Sequence, residues 1–396
     1  MQEMKAVQLV PAMEEGGVER YITALNRILV EHGWENCVVS SGGKLEFDIR
    51  QGEGRTFGLD LKSKNPLTAL ARAWRLRKLI LAEKPDVVVA HSRVPAWLFV
   101  LARFLHRCTL STVHCPFPPL ITYAHGANSV SRYSKVMTAG EIVMCPSNFI
   151  KEYLMNAYGT PAEKIRVVPH AVDFVRFDPA NLDREFVAAK RAEWGIRPDD
   201  KVVMCVGRIS PVKGLDNLIE ELSAAALARL SPGARPAEQS RLRLIIVGGA
   251  EKKREAYFES LKSLADRESR VPTSEPRATG AFSVVFAGPQ SKIPECLSLA
   301  DVIVSANVTK PESFGLSMAE ALAMGKPVVA KGFGGALDVV RDGADGVLCD
   351  RGGFAAAIEK ALELDPTNIR ADAMSRFDFD IMSRNTILIY KEITRK

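Results

Sequence analysis

Short apolar runs alternate with longer stretches of helical periodicity along most of the chain. The short runs are rich in valine and isoleucine, and this pattern predicts parallel strands that are buried on both faces and joined by crossover helices. The strand candidates are residues 6–10, 36–40, 86–90, 110–114, 142–146, 165–169, 201–207, 242–248, 283–288, 301–306 and 326–330. The helix candidates are residues 17–31, 67–83, 214–228, 252–267 and 315–324.

This alternation runs through once and restarts near Lys201, after an irregular connector at residues 167–179 that contains two prolines. The restart predicts an α/β chain with two doubly wound domains rather than one long sheet. We expect the first domain at residues 1–172 and the second at residues 173–376.

The composition is that of an ordinary soluble globular protein, with 47% hydrophobic and 25% charged residues. The seven cysteines are scattered and lack the spacing of a zinc site, so we expect a reducing compartment and no metal. No run approaches the ~18 apolar residues of a membrane span. The beginning of the chain also lacks the apolar run of a signal peptide. These features predict a cytoplasmic protein.

Positive charge is concentrated in residues 62–107, which hold 10 basic and 2 acidic residues. A basic patch suits phosphate-rich partners. It carries no aromatic interleaving and no nucleic-acid motif, so we expect no nucleic-acid partner. A helix around Trp74 also carries Arg72, Arg75 and Lys78. Such a helix can rest on an anionic membrane, here at the inner face of the cytoplasmic membrane, or it can be a packed helix with basic residues outward.

Two glutamates stand eight positions apart in KPESFGLSMAEALAMGKPVVA, residues 310–330, where a strand gives way to a helix. Ligands of open α/β sheets bind at such junctions, helix N-termini attract phosphate, and Gly315 lets the backbone approach an anion. A helical rise puts Glu312 and Glu320 roughly 10–12 Å apart, about the span between the two sugars of a nucleotide sugar. A solvated glutamate on an amphipathic helix is the alternative, but the spacing, the glycine and the strand–loop–helix context favour a ligand site.

The Glu312–Glu320 pair, with SFGL between, resembles the E-x7-E signature of retaining glycosyltransferases of family 4. The resemblance extends to GGVERYITAL (16–25), KIRVVPHAVDFVRFDP (164–179), VGRISPVKG (206–214) and GFGGALDVVRDGADGVLCD (332–350). It implies the GT-B fold, in which two Rossmann-like domains face each other across a cleft. Residues 377–396 resemble the closing helix that returns to the first domain.

The resemblance also implies a donor site. Glu312 would hold hydroxyls of the transferred sugar, and Glu320 would hold the ribose. Backbone N–H groups at Gly315 and Leu316 would meet the diphosphate, which Gly17 would approach from the first domain.

Arg208 and Lys213 would neutralise the diphosphate as it leaves, with no metal and no cofactor. The chemistry alone makes the same demand, because fixed cations stabilise the negative charge that grows in the transition state. His114 would face the reacting sugar, although a histidine that ends an apolar strand can also be a satisfied core residue. Gln290, in GPQSKIP, is a candidate contact to the base.

Residues 63–98 resemble lipopolysaccharide-core sugar transferases of alpha-proteobacteria, which implies a lipid-linked acceptor. We therefore expect retaining transfer of a hexose, with mannose as a candidate, from a nucleoside-diphosphate sugar to a glycan or glycolipid of the cell envelope. A GT-B nucleotide-sugar epimerase is the alternative, and it would need a further acid/base constellation that the sequence does not display. A dinucleotide-dependent oxidoreductase would need G-x-G-x-x-G where the loop reads PAMEEGGVER.

Overall fold

A computed structural model of the chain describes residues 4–14, 16–109, 116–228, 241–269, 282–350 and 352–395. The chain divides into two compact units, Met1–Ala171 with Phe379–Lys396 and Val172–Asp378. Each unit is built on one parallel sheet with helices on both faces. The predicted class, an α/β chain with two Rossmann-like doubly wound domains, is confirmed.

The first unit contains a seven-stranded sheet of order β3-β2-β1-β4-β5-β6-β7. Its strands are β1 (Met4–Leu9), β2 (Trp34–Ser40), β3 (Arg55–Gly58), β4 (Val87–Ala90), β5 (Leu120–Tyr123), β6 (Ile142–Cys145) and β7 (Ile165–Val167). Its helices are α1 (Gly17–Glu31), α2 (Glu46–Gln51), α3 (Ala69–Glu83), α4 (Arg93–Thr109), α5 (Asn148–Tyr158) and the last helix of the chain, α14 (Phe379–Thr394).

The second unit contains a six-stranded sheet of order β10-β9-β8-β11-β12-β13. Its strands are β8 (Lys201–Val206), β9 (Leu242–Val247), β10 (Phe282–Gly288), β11 (Val302–Ser305), β12 (Val328–Lys331) and β13 (Gly346–Cys349). Its helices are α6 (Arg184–Glu193), α7 (Leu215–Ala228), α8 (Glu255–Ser269), α9 (Ile293–Ser298), α10 (Leu316–Ala323), α11 (Ala336–Val339), α12 (Phe354–Leu362) and α13 (Ile369–Phe377).

Both sheets have an apolar core on each face, which explains why their strands are continuous apolar runs rather than alternating ones. On one face of the first sheet the core includes Ile22 and Leu25 of α1 together with Ile387 and Tyr390 of α14. The C-terminal helix is therefore part of the first unit's core.

The strand order reverses at one point in each sheet, between β1 and β4 in the first unit and between β8 and β11 in the second. Loops that leave two such neighbouring strands diverge to opposite faces and open a crevice at the carboxyl ends of the strands. These two crevices are where ligand-binding residues are expected.

The helix candidates are confirmed with their bounds shifted by up to three residues. The apolar pattern missed three short strands, β3, β5 and β13. The candidate strand at residues 110–114 lies outside the described residues. Within the described part of the chain, no helix is long and apolar enough to cross a membrane.

Candidate active site

A narrow pocket of about 20 Å³ marks the reversal point of the second sheet. Gly207, Arg208 and Lys213 reach it from the segment after β8, and Asn307 reaches it from the segment after β11. Ser317, in the first turn of α10, completes the wall. Two sequence-predicted cations and the predicted helix start therefore lie around one crevice.

Lys213 and Glu312 form an ion pair beside this pocket through Lys213 Nζ and Glu312 Oε1. Lys213 ends a tight turn, Pro211–Lys213, that is followed by Gly214 in the left-handed conformation, with φ of 58°. A Cβ at Gly214 would lie 2.4 Å from the carbonyl oxygen of Ala306. Only glycine lets this turn pack so closely against the end of β11, and that packing brings Lys213 to Glu312.

Two further glycines, Gly334 and Gly335, pack against the loop that carries Glu312. The backbone N–H of Gly335 donates to the carbonyl of Glu312 at 2.8 Å. A Cβ at Gly334 would lie 2.2 Å from Cβ of Pro311, and a Cβ at Gly335 would lie 2.6 Å from Cα of Phe314. The Gly334–Gly335 segment, which is part of the family resemblance, therefore holds the backbone of the Glu312 loop in place.

Gly315 precedes α10 with φ of 97°, a left-handed conformation that directs the chain into the helix. Leu316 is the first helical residue, and the first N–H groups of any helix have no intrahelical acceptor. Ala319 and Ala323 are buried, whereas Glu320 is half-buried. Ala319 and Ala323 therefore lie on the core face of this helix, and Glu320 lies on another face.

Arg208 and Gln290 are placed near the same sheet edge but make other contacts. The Arg208 side chain is 80% exposed and pairs with Glu251 at 3.0 Å. The pKa of Glu251 is below its ordinary value, mainly because of Lys253 and to a smaller extent because of Arg208. Gln290 follows β10, and its amide donates to the carbonyl of Ala287 at 2.5 Å. The structure thus brings Lys213 and Glu312 together and leaves Arg208 in solvent.

Asn307 is a pocket residue that the sequence analysis missed. It is 6% exposed, and its side-chain amide donates to the carbonyl of Lys310 at 3.2 Å. Its Oδ1 is buried and has no hydrogen-bond partner among the described residues. The sequence offered one sign of this role, because Asn307 directly follows the apolar run at residues 301–306. That sign is weak, since a polar residue after a strand often only begins a loop.

In the first unit, Gly17 is the first residue of α1 and is exposed. A Cβ at this position would meet nothing within 4 Å, so the backbone there is open to a ligand.

His114 lies outside the described residues, and its role stays a prediction. The strand between β4 and β6 is β5, and the histidine that follows it is His125.

Three histidines gather at the carboxyl ends of the first sheet's strands. His91 directly follows β4, and its Nδ1 lies 2.9 Å from Nε2 of His125. The His125 and His170 ring centroids are 5.6 Å apart. Burial, with a smaller effect of His170, lowers the pKa of His91 to about 3. Burial also lowers the pKa of His170 to about 4 and holds the pKa of His125 well below its ordinary value. All three rings are therefore neutral at pH 7.

Among the residues that the structure describes, no group of three or more His, Cys, Asp or Glu side chains could hold a metal ion. The two nitrogens that join His91 and His125 are occupied with each other.

The structure corrects one feature of the basic helix α3. Arg72 is 5% exposed, and its guanidinium donates to the carbonyls of Asp60, Ser63 and Asn65 at 2.8–3.2 Å. Arg72 thus ties down the preceding loop and cannot face a membrane. Arg75 and Lys78 are exposed, as predicted.

An apolar groove of about 490 Å³ runs along α4 beside the start of α3. Trp97 and Phe104 line it and are 41% and 59% exposed, and Val100 and Leu101 lie between them at helical spacing. The Trp97 indole N–H donates to the carbonyl of Tyr133 at 2.9 Å, which fixes the ring. We call this surface, Trp97, Val100, Leu101 and Phe104 with the loop at residues 63–66, the apolar groove.

Comparison with known proteins identifies the family of this chain. The profile of glycosyltransferase family 4 matches residues 15–176, and that of glycosyl transferases group 1 matches residues 186–376. The chain belongs to the family 4 type of glycosyltransferases. The D-inositol 3-phosphate glycosyltransferase of Nocardia farcinica is 36% identical over 197 residues, which are 49% of this chain and 38% of that protein.

This chain spans between 38% and 55% of the length of five such curated relatives. A glycosyltransferase of Rickettsia africae superposes with a TM-score of 0.80 at 24% identity over 99% of both chains. The Anabaena protein HepE, solved with UDP and glucose, superposes with a TM-score of 0.74 at 21% identity over 98% of this chain and 100% of its own. These two structures share the fold of this family 4 type chain.

Proposed function

We propose that this chain is a retaining glycosyltransferase that moves a hexose, with mannose as a candidate, from a nucleoside-diphosphate sugar to a glycan or glycolipid of the cell envelope. One observation carries the proposal. The Lys213–Glu312 pair lies at the reversal point of a doubly wound sheet, where the helix after Glu312 begins. This position suits a bound diphosphate.

The pair has a direct use in donor binding. A diphosphate at the start of α10 would accept hydrogen bonds from the N–H groups of Gly315 and Leu316 and would attract Lys213 Nζ away from Glu312. The released carboxylate of Glu312 would then accept hydrogen bonds from hydroxyls of the transferred sugar. Glu320 would hold the ribose, and Gln290 would lie toward the base.

As the sugar–phosphate bond breaks, negative charge grows on the diphosphate. Lys213 and the N-terminus of α10 are fixed positive groups that stabilise this charge as it develops, and Arg208 would add to them from its exposed position. If the acceptor attacks from the face that the diphosphate leaves, the new glycosidic bond forms where the sugar–phosphate bond breaks, and the anomeric configuration is retained. The departing phosphate oxygen takes the acceptor's proton.

The comparisons bear on both substrates. HepE, which shares this fold, was solved with UDP and glucose, and this supports a nucleoside-diphosphate sugar as the donor. The names of curated relatives point to a phosphorylated inositol as acceptor, which is polar. The apolar groove of this chain favours a lipid-linked acceptor instead, as expected for lipopolysaccharide or another envelope polysaccharide.

The apolar groove carries the acceptor part of the proposal. Exposed apolar side chains at helical spacing would bind the acyl chain of a lipid, while Arg75 and Lys78 on α3 would attract anionic headgroups. An anionic lipid surface matches both the apolar groove and the excess of basic residues between positions 62 and 107. The protein would then work at the inner face of the cytoplasmic membrane.

A donor screen followed by product analysis tests the function. Nucleotide sugars are added in EDTA to the full chain, with inositol phosphate or a lipid-linked glycan as acceptor, and the anomeric proton of the product is observed by NMR. We expect one donor to be selected and an α-linked donor to give an α-linked product. A β-linked product would refute retention, and conversion of the donor to an epimer without transfer would identify an epimerase.

A further inference from the structure

A chain of buried side-chain amides crosses the first unit, and its direction is set at one end. The amide of Asn26, on α1, donates to the carbonyls of Gly52 at 2.8 Å and Ile49 at 3.3 Å. A backbone carbonyl can only accept, so this amide nitrogen is identified and Asn26 Oδ1 is an acceptor. The amide of Asn36, on β2, donates to that Oδ1 at 2.8 Å, which leaves Asn36 Oδ1 as an acceptor.

The direction continues along the sheet. The amide of Gln8, on β1, donates to Asn36 Oδ1 at 3.2 Å, so Gln8 Oε1 faces the other way as an acceptor. His91 Nε2 lies 2.9 Å from Gln8 Oε1 and must therefore carry a proton. His91 is neutral, so its Nδ1 has no proton and accepts from His125 Nε2 at 2.9 Å.

His125 inherits its tautomer from this chain. Because Nε2 of the neutral ring carries the proton, Nδ1 is left as a lone pair. This Nδ1 is buried and has no hydrogen-bond partner among the described residues. Aromatic rings of Tyr21 and Tyr123 surround the histidine, with centroids 5.3 and 4.0 Å from its own. A buried acceptor in such surroundings is unfavourable unless a donor reaches it, and it calls for an explanation.

We propose that Asn26, Asn36, Gln8 and His91 form a hydrogen-bond relay that fixes His125 in its Nε2-protonated tautomer, so that Nδ1 accepts a hydrogen bond from a hydroxyl of the bound sugar. The assignment of a sugar as the hydroxyl donor rests on the proposed function. Gln8 and His91 are positioning residues, because they act on the ligand only through His125.

Only one tautomer of His91 and His125 avoids a repulsive contact between two acceptors within the relay. The opposite tautomer of His125 would require a proton on Nδ1 of His91, which would place the bare Nε2 of His91 against Gln8 Oε1. Two acceptors 2.9 Å apart repel. Turning the Gln8 amide to relieve this contact would place Gln8 Oε1 against Asn36 Oδ1, which are both acceptors. Turning Asn36 and then Asn26 in the same way would finally place Asn26 Oδ1 against the carbonyls of Ile49 and Gly52, which can only accept.

NMR tests the relay without any need for activity. Full-length protein labelled with ¹⁵N-histidine is examined at pH 7.5 by long-range ¹H–¹⁵N correlation, which distinguishes the two neutral tautomers. We expect His91 and His125 as pure Nε2-protonated forms. The nucleotide sugar selected in the donor screen should shift the Nδ1 signal of His125. A His125 ring protonated at Nδ1 in the wild-type protein would overturn the relay.

Gln8→Met removes the acceptor that keeps the proton on His91 Nε2 while keeping the side chain's length. Both tautomers of His125 should then appear, and kcat should fall on the order of 10–100-fold, by analogy with the loss when a group that orients a metal-bound histidine is removed. Thr122→Val is the matched control. Thr122 is fully buried on β5 and donates to the Met137 carbonyl at 2.6 Å, so this variant loses a buried hydrogen bond outside the relay. Its His125 tautomer and kcat should match the wild type.

The outcomes separate the relay from the proposed function. A Gln8→Met protein in which His125 keeps a single tautomer would overturn the relay. A donor that binds and leaves the Nδ1 signal of His125 unmoved would overturn the sugar contact. Failure of every nucleotide sugar to bind would refute the proposed function and the sugar contact with it, while the tautomers still decide the relay.

Discussion

Lys213 and Glu312 are 99 positions apart in the sequence, and their ion pair holds the lysine beside the pocket at the reversal point of the second sheet. Each side chain is 26% exposed, so water screens the pair less than it screens surface charges. The Arg208 side chain is 80% exposed, and ions in solvent contribute little. Lys213 is therefore expected to provide most of the stabilisation of the leaving group.

Replacement of Lys213 tests this expectation. Lys213→Met should lower kcat by about 10²–10³-fold and change the donor KM less, because the charge on the diphosphate grows as the bond breaks. Arg208→Met should cost roughly fivefold or less, in keeping with the ~1 kcal/mol upper range for an exposed ion. Steady-state kinetics with the selected donor gives both values.

Lys262→Met is the matched control, since Lys262 also pairs with a carboxylate of the second unit, Glu259, at 2.8 Å. This variant should behave as the wild type. A Lys213→Met enzyme with a raised donor KM and an unchanged kcat would show that the lysine binds ground state and transition state equally.

At the scale of elements, α3 and α4 differ in what they expose. α3 presents Arg75 and Lys78, whereas α4 presents the aromatic side chains Trp97 and Phe104. The sequence left two alternatives for the basic helix, contact with an anionic membrane or a packed helix with basic residues outward. On our proposal of a lipid-linked acceptor there is a division of roles, in which α3 would supply charge and the apolar groove on α4 would supply apolar area. Arg72 is excluded from such a contact because it is buried.

This division predicts two separable losses of lipid binding. Phe104→Ser should weaken binding to phosphatidylglycerol vesicles by roughly tenfold, because burying a large apolar side chain contributes about 1.5–3 kcal/mol. Arg75→Gln with Lys78→Gln should weaken it through charge, by about 1 kcal/mol per residue, and this part should vanish as salt rises. Co-sedimentation at low and high salt measures both.

Leu388→Ser is the control, since Leu388 on α14 is 60% exposed, close to the 59% of Phe104. Its lipid binding should equal that of the wild type. If no variant binds anionic vesicles less well at low salt, α3 and α4 have only a structural role and the lipid acceptor is rejected.

At the scale of the whole molecule, all six histidines lie before position 171, and the second unit has none. The folded pKa values of His91, His125 and His170 lie below the ordinary value of 6.5, so the unfolded first unit takes up more protons in mild acid. The stability that these neutral histidines contribute is complete above pH 6.5 and is lost as the pH falls below it.

Between pH 7.5 and 5.5, each of these three histidines should lower the free energy of unfolding of the first unit by about 1.3 kcal/mol, or about 4 kcal/mol together. Calorimetry or urea unfolding at the two pH values measures the loss. The second unit is an internal control whose transition should shift much less. Equal shifts of both transitions would mean that the buried histidines are not the cause.

The sequence by itself determined the features that depend on neighbours along the chain. Apolar runs separated by helical stretches predicted both sheets, because a parallel strand that is buried on both faces is apolar at nearly every position. The Gly315–Glu320 segment was also predictable, since helical spacing alone puts Ala319 and Ala323 in the core and Glu320 beside it. The strands β3, β5 and β13 were missed because RTFG, LITY and GVLC contain no two adjacent valine or isoleucine residues, unlike the equally short β4, β6, β11 and β12.

Only the tertiary structure decided which distant side chains meet. It paired Lys213 with Glu312, turned Arg72 inward and linked Asn26 to His125 through Asn36, Gln8 and His91. A parallel sheet brings the carboxyl ends of strands together in an order that differs from their order in sequence. Hydrogen-bond direction, burial and ion pairing depend on that spatial order, and local sequence patterns do not contain it.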